Sequence, residues 1–271
     1  MRTGESSVTP PSDRQPLPSS VNGLPPLPAE YDATLRTGLA ALGADAPPED
    51  LLAAVADHIR LLIAWNTAMN LSGIREPAAM AREHVLDSLS ALGLLRRAGI
   101  TEFVDLGSGG GFPGLPLAVT LPAIRALLVE SVAKKARFLE AAAAAAGVGE
   151  TVGVAAIRAE ALAADPVHRG RWQAAIARAV ADLTELAEIA LPLVRVGGLL
   201  VAWKKLPLEE ELERAAAAVP QLGGRAARIY AVEIPGLEDH VLVTIEKVGP
   251  TPSQYPRDPA VRRRRPLQRS Y

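Results

Sequence analysis

A glycine-rich segment contains the residue types with the clearest chemical potential. Residues 105–114 read DLGSGGGFPG, with five glycines in the eight positions after Asp105 and Leu106. Glycine permits positive φ angles and lets a ligand lie against the main chain, although each one costs conformational entropy when the loop is ordered. A helix that starts after the loop would direct free N–H groups at a polar or anionic ligand. The segment therefore predicts a ligand-binding loop.

Two classes of ligand fit this loop. Gly109, Gly111 and Gly114 match the G-x-G-x-x-G spacing of dinucleotide-binding loops. Asp105 stands next to the loop, where its carboxylate would repel a pyrophosphate and attract an ammonium or sulfonium group. Glu130 follows the next apolar run and could bind a ribose diol of either ligand. These charges favour S-adenosylmethionine, and an NAD(P)-dependent oxidoreductase stays open as the alternative.

The flanking sequence predicts the elements that would position the loop. Seven short apolar runs are interpreted as strands, at residues 100–106, 125–129, 152–157, 172–177, 199–203, 228–234 and 241–247. Helical segments lie in four of the five gaps between the first six, all except the gap between the third and fourth, which indicates parallel βαβ units with helices on both faces of an open sheet. Ligands bind such sheets at the carboxyl ends of the strands. Two consecutive strands at the end indicate one antiparallel strand, so we predict an α/β, Rossmann-like, mostly parallel seven-stranded sheet.

Changes in composition divide the chain into four parts. Residues 1–30 are rich in proline and serine and are predicted to be a disordered leader. Residues 31–98 show helical periodicity and are predicted to form a helical N-terminal subdomain. Residues 99–248 carry the α/β pattern, and residues 249–271 form a basic C-terminal tail.

The overall composition excludes several classes of protein. With 49% hydrophobic residues among 271, most of the chain can bury a core. The absence of cysteine excludes disulfides, thiolate metal sites and cysteine nucleophiles. No apolar run reaches the roughly 18 residues of a membrane span, and the N-terminus lacks the apolar segment of a signal peptide, so a cytoplasmic location is expected.

The distribution of charge is more informative than its sum. The net charge of −1 argues against a protein covered in positive charge for nucleic acid. Residues 251–271, however, hold six arginines and one aspartate, a net charge of +5, which leaves the remaining residues net acidic. Such an arm can neutralise RNA phosphates. A non-enzymatic RNA-binding protein is therefore a second alternative, and a merely solubilising tail is a third interpretation of the same residues.

Several motifs occur in order between residues 59 and 266. They are WN at 65–66, NLSGIR at 70–75, HVLDSL at 84–89, the glycine loop continued to residue 117, ES at 130–131, KK at 134–135, RFL at 137–139, RAE at 158–160, ARAV at 177–180, WK at 203–204, YPR at 255–257 and RPL at 265–267. Together they resemble the bacterial small-subunit ribosomal RNA methyltransferase G family, also called glucose-inhibited division protein B. Glu83, Lys205 and residues 258–264 depart from the family pattern.

The resemblance implies an enzyme that methylates N7 of a guanine in 16S ribosomal RNA with S-adenosylmethionine. It also implies a class I methyltransferase fold over residues 99–248. N7 carries a free lone pair and no proton, so no general base and no catalytic residue are assigned. The expected partner is 16S ribosomal RNA, free or within a small ribosomal subunit. A membrane partner is not expected, and a monomer is.

Candidate site residues come from the loop chemistry and from the resemblance. The donor site is expected to include Asp105, Gly109, Gly111 and Glu130 and, by resemblance, Gly107, Phe112, Ala159, Glu160 and Arg178. RNA contacts are expected from Lys204, Arg257, Arg262, Arg263, Arg264 and Arg265. No metal site is expected, because the histidines lack metal-ligand spacing. His84 and Asp87 are interpreted as a helix-surface pair that orients the N-terminal subdomain, and Trp65 as a core residue.

Overall fold

Seven strands form one sheet in a computed structural model that describes residues 17–121 and 123–267. They are β1 Glu102–Leu106, β2 Arg125–Val129, β3 Val152–Ala155, β4 Trp172–Arg178, β5 Val194–Lys205, β6 Arg228–Ala231 and β7 His240–Glu246. Their order is β3-β2-β1-β4-β5-β7-β6, and β7 runs antiparallel to both of its neighbours. The predicted α/β fold, with a mostly parallel sheet and one antiparallel strand, is confirmed.

The predicted and the observed bounds of the strands differ at some strand ends. β3 ends at Ala155 and not at residue 157, because its pairing with β2 stops there and the chain turns away at the edge of the sheet. β1 and β4 in the centre of the sheet are almost entirely buried, as expected for parallel strands covered on both faces. β6 is an exposed edge strand.

Helices α1 Ala29–Leu42 and α2 Glu49–Asn66 open the chain, followed by one continuous helical stretch and by α5 Leu92–Arg97. That stretch consists of α3 Pro77–Ala79, a π-helical segment Met80–Leu86 and α4 Asp87–Leu89. The predicted apolar face of α2 is buried at Val55, Ile59 and Leu62. These side chains share a core with Phe103 and Phe138 of the α/β part. The N-terminal helices therefore form one layer against the sheet.

The helices of the α/β part are α6 Gly114–Thr120, α7 Ala133–Ala145, α8 Ala159–Ala164, α9 Leu183–Ala190 and α10 Glu209–Ala218. α6 and α7 share the core of the N-terminal layer, whereas α8, α9 and α10 cover the other face of the sheet. The final helix, α11 Pro259–Arg264, follows the last strand.

The second half of the predicted leader differs from the expectation of disorder. The Arg60 guanidinium donates hydrogen bonds to the carbonyls of Val21, Leu24 and Pro25, and Trp65 Nε1 donates to the Pro18 carbonyl at 2.7 Å. These donors from α2 hold residues 18–25 on the helical layer. The composition of residues 18–25 gives no sign of this, because the segment has few side chains that could form a core. Residues 1–16 lie outside the described residues.

The described part of the tail is folded. Arg169 donates to the carbonyls of Thr251, Pro252 and Tyr255, and the side chains of Tyr255 and Leu267 are buried in the core on the α9 side. These contacts could not be predicted from a composition rich in proline and arginine. The acceptors are backbone carbonyls, and the residues that contact the tail are distant in the sequence.

Candidate functional site

The glycine loop follows β1 and has a conformation that requires glycine. Gly107 and Gly111 have φ angles of 72° and 90°. A Cβ on Gly107 would lie 2.9 Å from Val180 Cγ2, and one on Gly111 would lie 2.8 Å from His58 Nε2. Both the backbone angle and the available space therefore exclude larger side chains. Gly109, also with positive φ, donates its N–H to Glu130.

Asp105 lies beneath this loop and is fully buried. Its Oδ2 accepts a hydrogen bond from the Gly114 N–H at 3.1 Å, and Oδ1 has no partner among the described residues. Burial raises the pKa of Asp105 from 3.8 to about 7. A buried carboxylate oxygen without a donor is costly, so this position would gain from a cationic or N–H-bearing ligand.

Glu130 joins the loop to the turn after β2. Its Oε2 accepts from the Gly109 N–H at 3.1 Å, and its Oε1 accepts from the Val132 N–H at 2.8 Å. Each carboxylate oxygen has a second lone pair, so a ribose hydroxyl could still bind. Ribose binding by Glu130 stays a prediction.

A cleft of about 350 Å³ opens at the carboxyl ends of β1 to β4. We call it the loop cleft. Four of the predicted donor-site residues line it, namely Gly107, Glu130, Ala159 and Glu160, together with Arg158 and Glu185. The topology thus gathers residues from three separate strand ends at the place where open α/β sheets bind ligands. Gly109, Gly111 and Phe112 shape the loop beside this cleft.

A second cleft, of about 510 Å³, lies between the helical layer and the ends of β4, β5 and β7. Its lining includes Ser72, His84, Asp87, Arg178, Trp203 and His240. Ala179 lines both clefts and has a φ of 56°, a left-handed conformation that is strained for alanine. The two clefts are therefore neighbours, separated at a strained residue.

Arg178 faces the second cleft and not the loop cleft. Its Nη1 donates to Asp87 Oδ2 at 2.7 Å and to the Glu83 carbonyl at 2.8 Å, and its guanidinium lies 5.4 Å from the centre of the Phe112 ring. A single charge in the apolar β4 sequence favours a ligand as its partner, either the carboxylate of the donor or an RNA phosphate, but in the structure the partner is Asp87 of the protein itself. Direct contact of Arg178 with the donor has no support from this geometry.

Asp87 is the centre of a buried polar network. It accepts from Arg178 and, at 2.8 Å, from His240 Nδ1, while its backbone carbonyl accepts from Trp203 Nε1 at 2.7 Å. Asp87 is 1% exposed and His84 is 8% exposed, so this face of the helix is buried against the strands, and the role of the two residues in orienting the N-terminal subdomain stays a prediction. The helix that carries them packs against the sheet, and spacing along that helix alone could not show which face is covered. Sequence reasoning also missed His240, whose partner is 153 positions away.

Two histidines of the helical layer enclose Phe112. The His84 ring stacks on Phe112 with 4.3 Å between centroids, and His58 lies 4.7 Å away on the same ring. His58 Nε2 also bonds the Gly110 carbonyl at 2.8 Å, and His84 Nε2 bonds Ser72 Oγ at 2.6 Å. Burial lowers the pKa of His58 to about 4 and, together with Arg178, that of His84 to about 3. Both rings are therefore neutral at pH 7 and brace the glycine loop.

The predicted RNA-binding residues divide into two groups. Lys204 Nζ donates to Glu211 Oε1 at 2.5 Å and to the Ala181 carbonyl, and Arg257 forms a bidentate pair with the buried Glu188. The Arg262 side chain is only 3% exposed and is bound to Glu160. Lys204, Arg257 and Arg262 were expected to be free to bind RNA phosphates. The structure differs from this expectation, because carboxylates of the protein already form ion pairs with these three side chains. Arg263, Arg264 and Arg265 are exposed.

Two other kinds of site are absent from the described residues. Within residues 17–121 and 123–267, no helix is long and apolar enough to cross a bilayer. The same residues contain no group of three or more histidine, aspartate or glutamate side chains placed to bind a metal ion.

Comparison with known proteins gives a family match over most of the chain. The model of the family "rRNA small subunit methyltransferase G" matches residues 52–240. A ribosomal RNA small subunit methyltransferase G of Roseiflexus sp. (strain RS-1) is 44% identical over 206 residues, 76% of this chain and 87% of its own. The protein of the same name from Symbiobacterium thermophilum is 41% identical over 243 residues, 88% of this chain and 98% of its own.

Solved structures share the fold at low sequence identity. An O-methyltransferase from Bacillus cereus in complex with SAH superposes with a TM-score of 0.51 at 16% identity, covering 80% of this chain and 100% of its own. The O-methyltransferase TomG from Streptomyces achromogenes gives 0.51 at 17% identity, covering 82% and 100%. At this identity the likeness concerns the fold alone.

Proposed function

Because this chain belongs to the ribosomal RNA small subunit methyltransferase G family, we propose that it transfers a methyl group from S-adenosylmethionine to N7 of a guanine in 16S ribosomal RNA. The observation that carries the donor assignment is the unpartnered, fully buried Oδ1 of Asp105 beneath the glycine loop. A nicotinamide dinucleotide would bring its pyrophosphate to this carboxylate, whereas the methyl donor brings an ammonium group and a sulfonium.

The loop cleft has the chemistry that this donor requires. Gly107 lets the main chain approach the ligand, and Asp105 supplies negative charge next to the loop. Glu130 offers carboxylate lone pairs to a ribose diol, and Glu160 offers them to an exocyclic amino group. Gly107, Glu130 and Glu160 line the cleft and would hold the methyl donor, while Asp105 is buried behind the loop and would act on the donor through its charge. The helical layer keeps the loop in position through His58 and Phe112.

The second cleft is the place for the acceptor base. It adjoins the loop cleft at Ala179, so a base bound there would face the donor site across a single residue. Trp203 and Ile74 supply apolar lining, and the Arg178–Asp87–His240 network closes one wall. That network fixes Asp87 and the helix that carries it relative to β4 and β5, which gives the cleft a rigid shape.

The chain contributes alignment and electrostatics to the reaction. S-Adenosylmethionine supplies, when bound, a methyl group made electrophilic by the sulfonium. Guanine N7 attacks with its own lone pair, so no side chain has to remove a proton. Holding the two groups in line and excluding water accounts for most of the expected acceleration. The methylated base gains a positive charge, and the carboxylate of Glu83 in the lining of the second cleft would stabilise it, whereas both oxygens of Asp87 are already bonded to Arg178 and His240.

RNA would approach over the exposed arginines in the last turn of α11 and directly after it. Arg263, Arg264 and Arg265 are free of the buried ion pairs that hold Arg257 and Arg262. Three exposed guanidinium groups can neutralise several phosphates in a salt-dependent manner. Lys204 remains a proposed contact at the rim of the second cleft, provided that phosphate can compete with Glu211.

The test uses the full chain with 16S ribosomal RNA and 30S subunits from a strain that lacks this modification. We expect methyl transfer from S-adenosylmethionine to one guanine, located by borohydride reduction and aniline cleavage, which break the RNA at 7-methylguanine. Comparing the two substrates shows whether free RNA or the particle is modified. Methylation at another atom, or no methylation of either substrate, would overturn the proposal.

A titration distinguishes the alternatives without RNA. We expect the protein to bind S-adenosylmethionine and to bind NADH far more weakly. Tighter binding of NADH would favour an oxidoreductase, and binding of neither together with RNA binding would favour a non-enzymatic RNA-binding protein.

A further inference from the structure

We propose that Arg262 is a positioning residue for donor recognition: from the C-terminal segment it holds Glu160 in the orientation that reads the exocyclic amino group of the donor's adenine. Arg262 was expected to bind RNA. Its side chain is instead 3% exposed and ends on Glu160, a residue that lines the loop cleft.

Each of the three guanidinium nitrogens of Arg262 donates one hydrogen bond. Nη2 donates to Glu160 Oε1 at 2.6 Å, Nε donates to Glu185 Oε1 at 3.3 Å, and Nη1 donates to the Arg257 carbonyl at 2.8 Å. Glu160 and Glu185 both line the loop cleft. One arginine from the chain's end therefore bridges two carboxylates of this cleft.

The segment that carries Arg262 is itself anchored. Asp258 caps α11 by accepting from the Ala260 N–H at 2.7 Å, and Arg257 donates to both oxygens of Glu188, which is 1% exposed. Glu185 and Glu188 belong to α9, so the segment is fixed to a helix of the main fold. Arg262 is thus held rigidly enough to orient a partner.

The ion pair of Arg262 and Glu160 determines which group of the ligand is recognised. The bond to Arg262 engages Oε1 of Glu160 and leaves Oε2 for a ligand. A carboxylate accepts from an amino group and repels a carbonyl oxygen, so a fixed Glu160 distinguishes adenine from hypoxanthine. Without Arg262, Glu160 and Glu185 would repel each other across the cleft and the orientation would be lost.

This inference rests on the proposed function, since it takes S-adenosyl compounds as the ligand. The experiment measures the affinity of the full-length protein for S-adenosylhomocysteine and for S-inosylhomocysteine, which carries a carbonyl in place of the amino group, by isothermal titration calorimetry without RNA. The native protein is expected to prefer the adenine compound by about tenfold or more, the value of one charged hydrogen bond. Arg262→Gln should reduce that preference to about twofold, and Arg262→Lys should restore part of it.

Two further variants separate orientation from folding. Arg263→Gln changes the exposed neighbour on α11 and should keep the full preference. Glu160→Gln should lose the preference, and the double variant with Arg262→Gln should lose no more than Glu160→Gln alone, because both act through one contact.

The possible results distinguish a failure of the proposed function from a failure of the proposed role of Arg262. A native protein that binds neither compound contradicts the proposed function itself. A native preference that Arg262→Gln leaves intact, with unchanged thermal unfolding, overturns the role of Arg262 alone. Equal weakening of both compounds, with the preference kept, would also overturn it and make Arg262 purely structural.

Discussion

The two clefts meet at Ala179 but are built in opposite ways. The backbone of the loop cleft is shaped by one short stretch of sequence, in which Gly107 and Gly111 set the course of the main chain above Asp105, although Glu130 and Glu160 reach the cleft from other strand ends. The second cleft depends on side chains that are far apart in the sequence, with Asp87 bonded to Arg178 and His240. A site formed by the main chain needs glycines at a few neighbouring positions. A site formed by side chains needs buried charged residues from distant segments to form ion pairs. The two should therefore fail differently when changed.

The largest effect is expected at the second cleft. Asp87→Ala removes the partner of two buried groups, and leaving a buried arginine unpaired typically costs about 3–5 kcal/mol. We expect a loss of that size in the free energy of unfolding, measured by urea denaturation, together with loss of methyl transfer. The exposed pair of Arg97 and Asp45 gives the control, since Asp45→Ala should cost less than about 1 kcal/mol. Similar costs for both would show that the network is not a stabilising centre.

At the loop cleft, Gly107→Ala should affect ligand binding more than folding. The new Cβ meets Val180 and the φ of 72° is strained for alanine, which costs about 1–3 kcal/mol. Gly147 offers a matched control, because it has the same φ of 72° with no atom within 4 Å of its Cβ position. We expect both variants to lose stability and only Gly107→Ala to lose at least about tenfold in S-adenosylmethionine affinity. Equal affinities would place the donor elsewhere.

The pH dependence of donor affinity tests the charge under the loop. Burial raises the pKa of Asp105 to about 7, so the folded protein binds a proton that the unfolded chain has released above its ordinary value of 3.8. Stability should therefore fall as the pH rises from about 4 to about 7 and then level off. A cationic donor favours the ionised form, so its affinity should rise over the same range, by at most about tenfold per pH unit. Asp105→Asn should bind weakly with no such slope, and a sloped Asn variant would contradict this assignment.

The smallest effect is expected at the residue that both clefts share. Ala179→Gly removes the penalty of a left-handed alanine and should raise the free energy of unfolding by about 0.5–1 kcal/mol. Ala123 has nearly the same φ, 55°, and does not line either cleft, so Ala123→Gly should give a similar gain. We expect only Ala179→Gly to lower the turnover number, since it loosens the boundary between donor and acceptor. Unchanged turnover would make the strain at Ala179 incidental.

Prediction from the sequence succeeded where the information is local. The seven strands, the glycine loop and the family resemblance all follow from contiguous patterns, and the fold and the family are confirmed. Contacts between residues that are distant in the sequence could not be predicted from it. His240 carries no motif that points to Asp87, and Arg262 belongs to a run of arginines whose members cannot be distinguished by composition.

The residue-level assignments show the same division. Gly107, Glu130, Ala159 and Glu160 line one cleft, and their roles in donor binding stay predictions. Arg178 lies in the neighbouring cleft because its side chain follows the buried charge of Asp87. The charge of the tail predicted RNA contacts, but carboxylates of α9 and the loop cleft take Arg257 and Arg262 out of that surface.

The sequence by itself determined the order of strands and helices, the loop that only glycine can form and the carboxylate beside it. These depend on backbone preference and on the periodicity of apolar residues, which act over a few positions. The tertiary structure decided which charges are buried with partners and which remain exposed to RNA. That outcome depends on the free energy of removing each charge from water, and only the packing of distant segments provides the partner that offsets it.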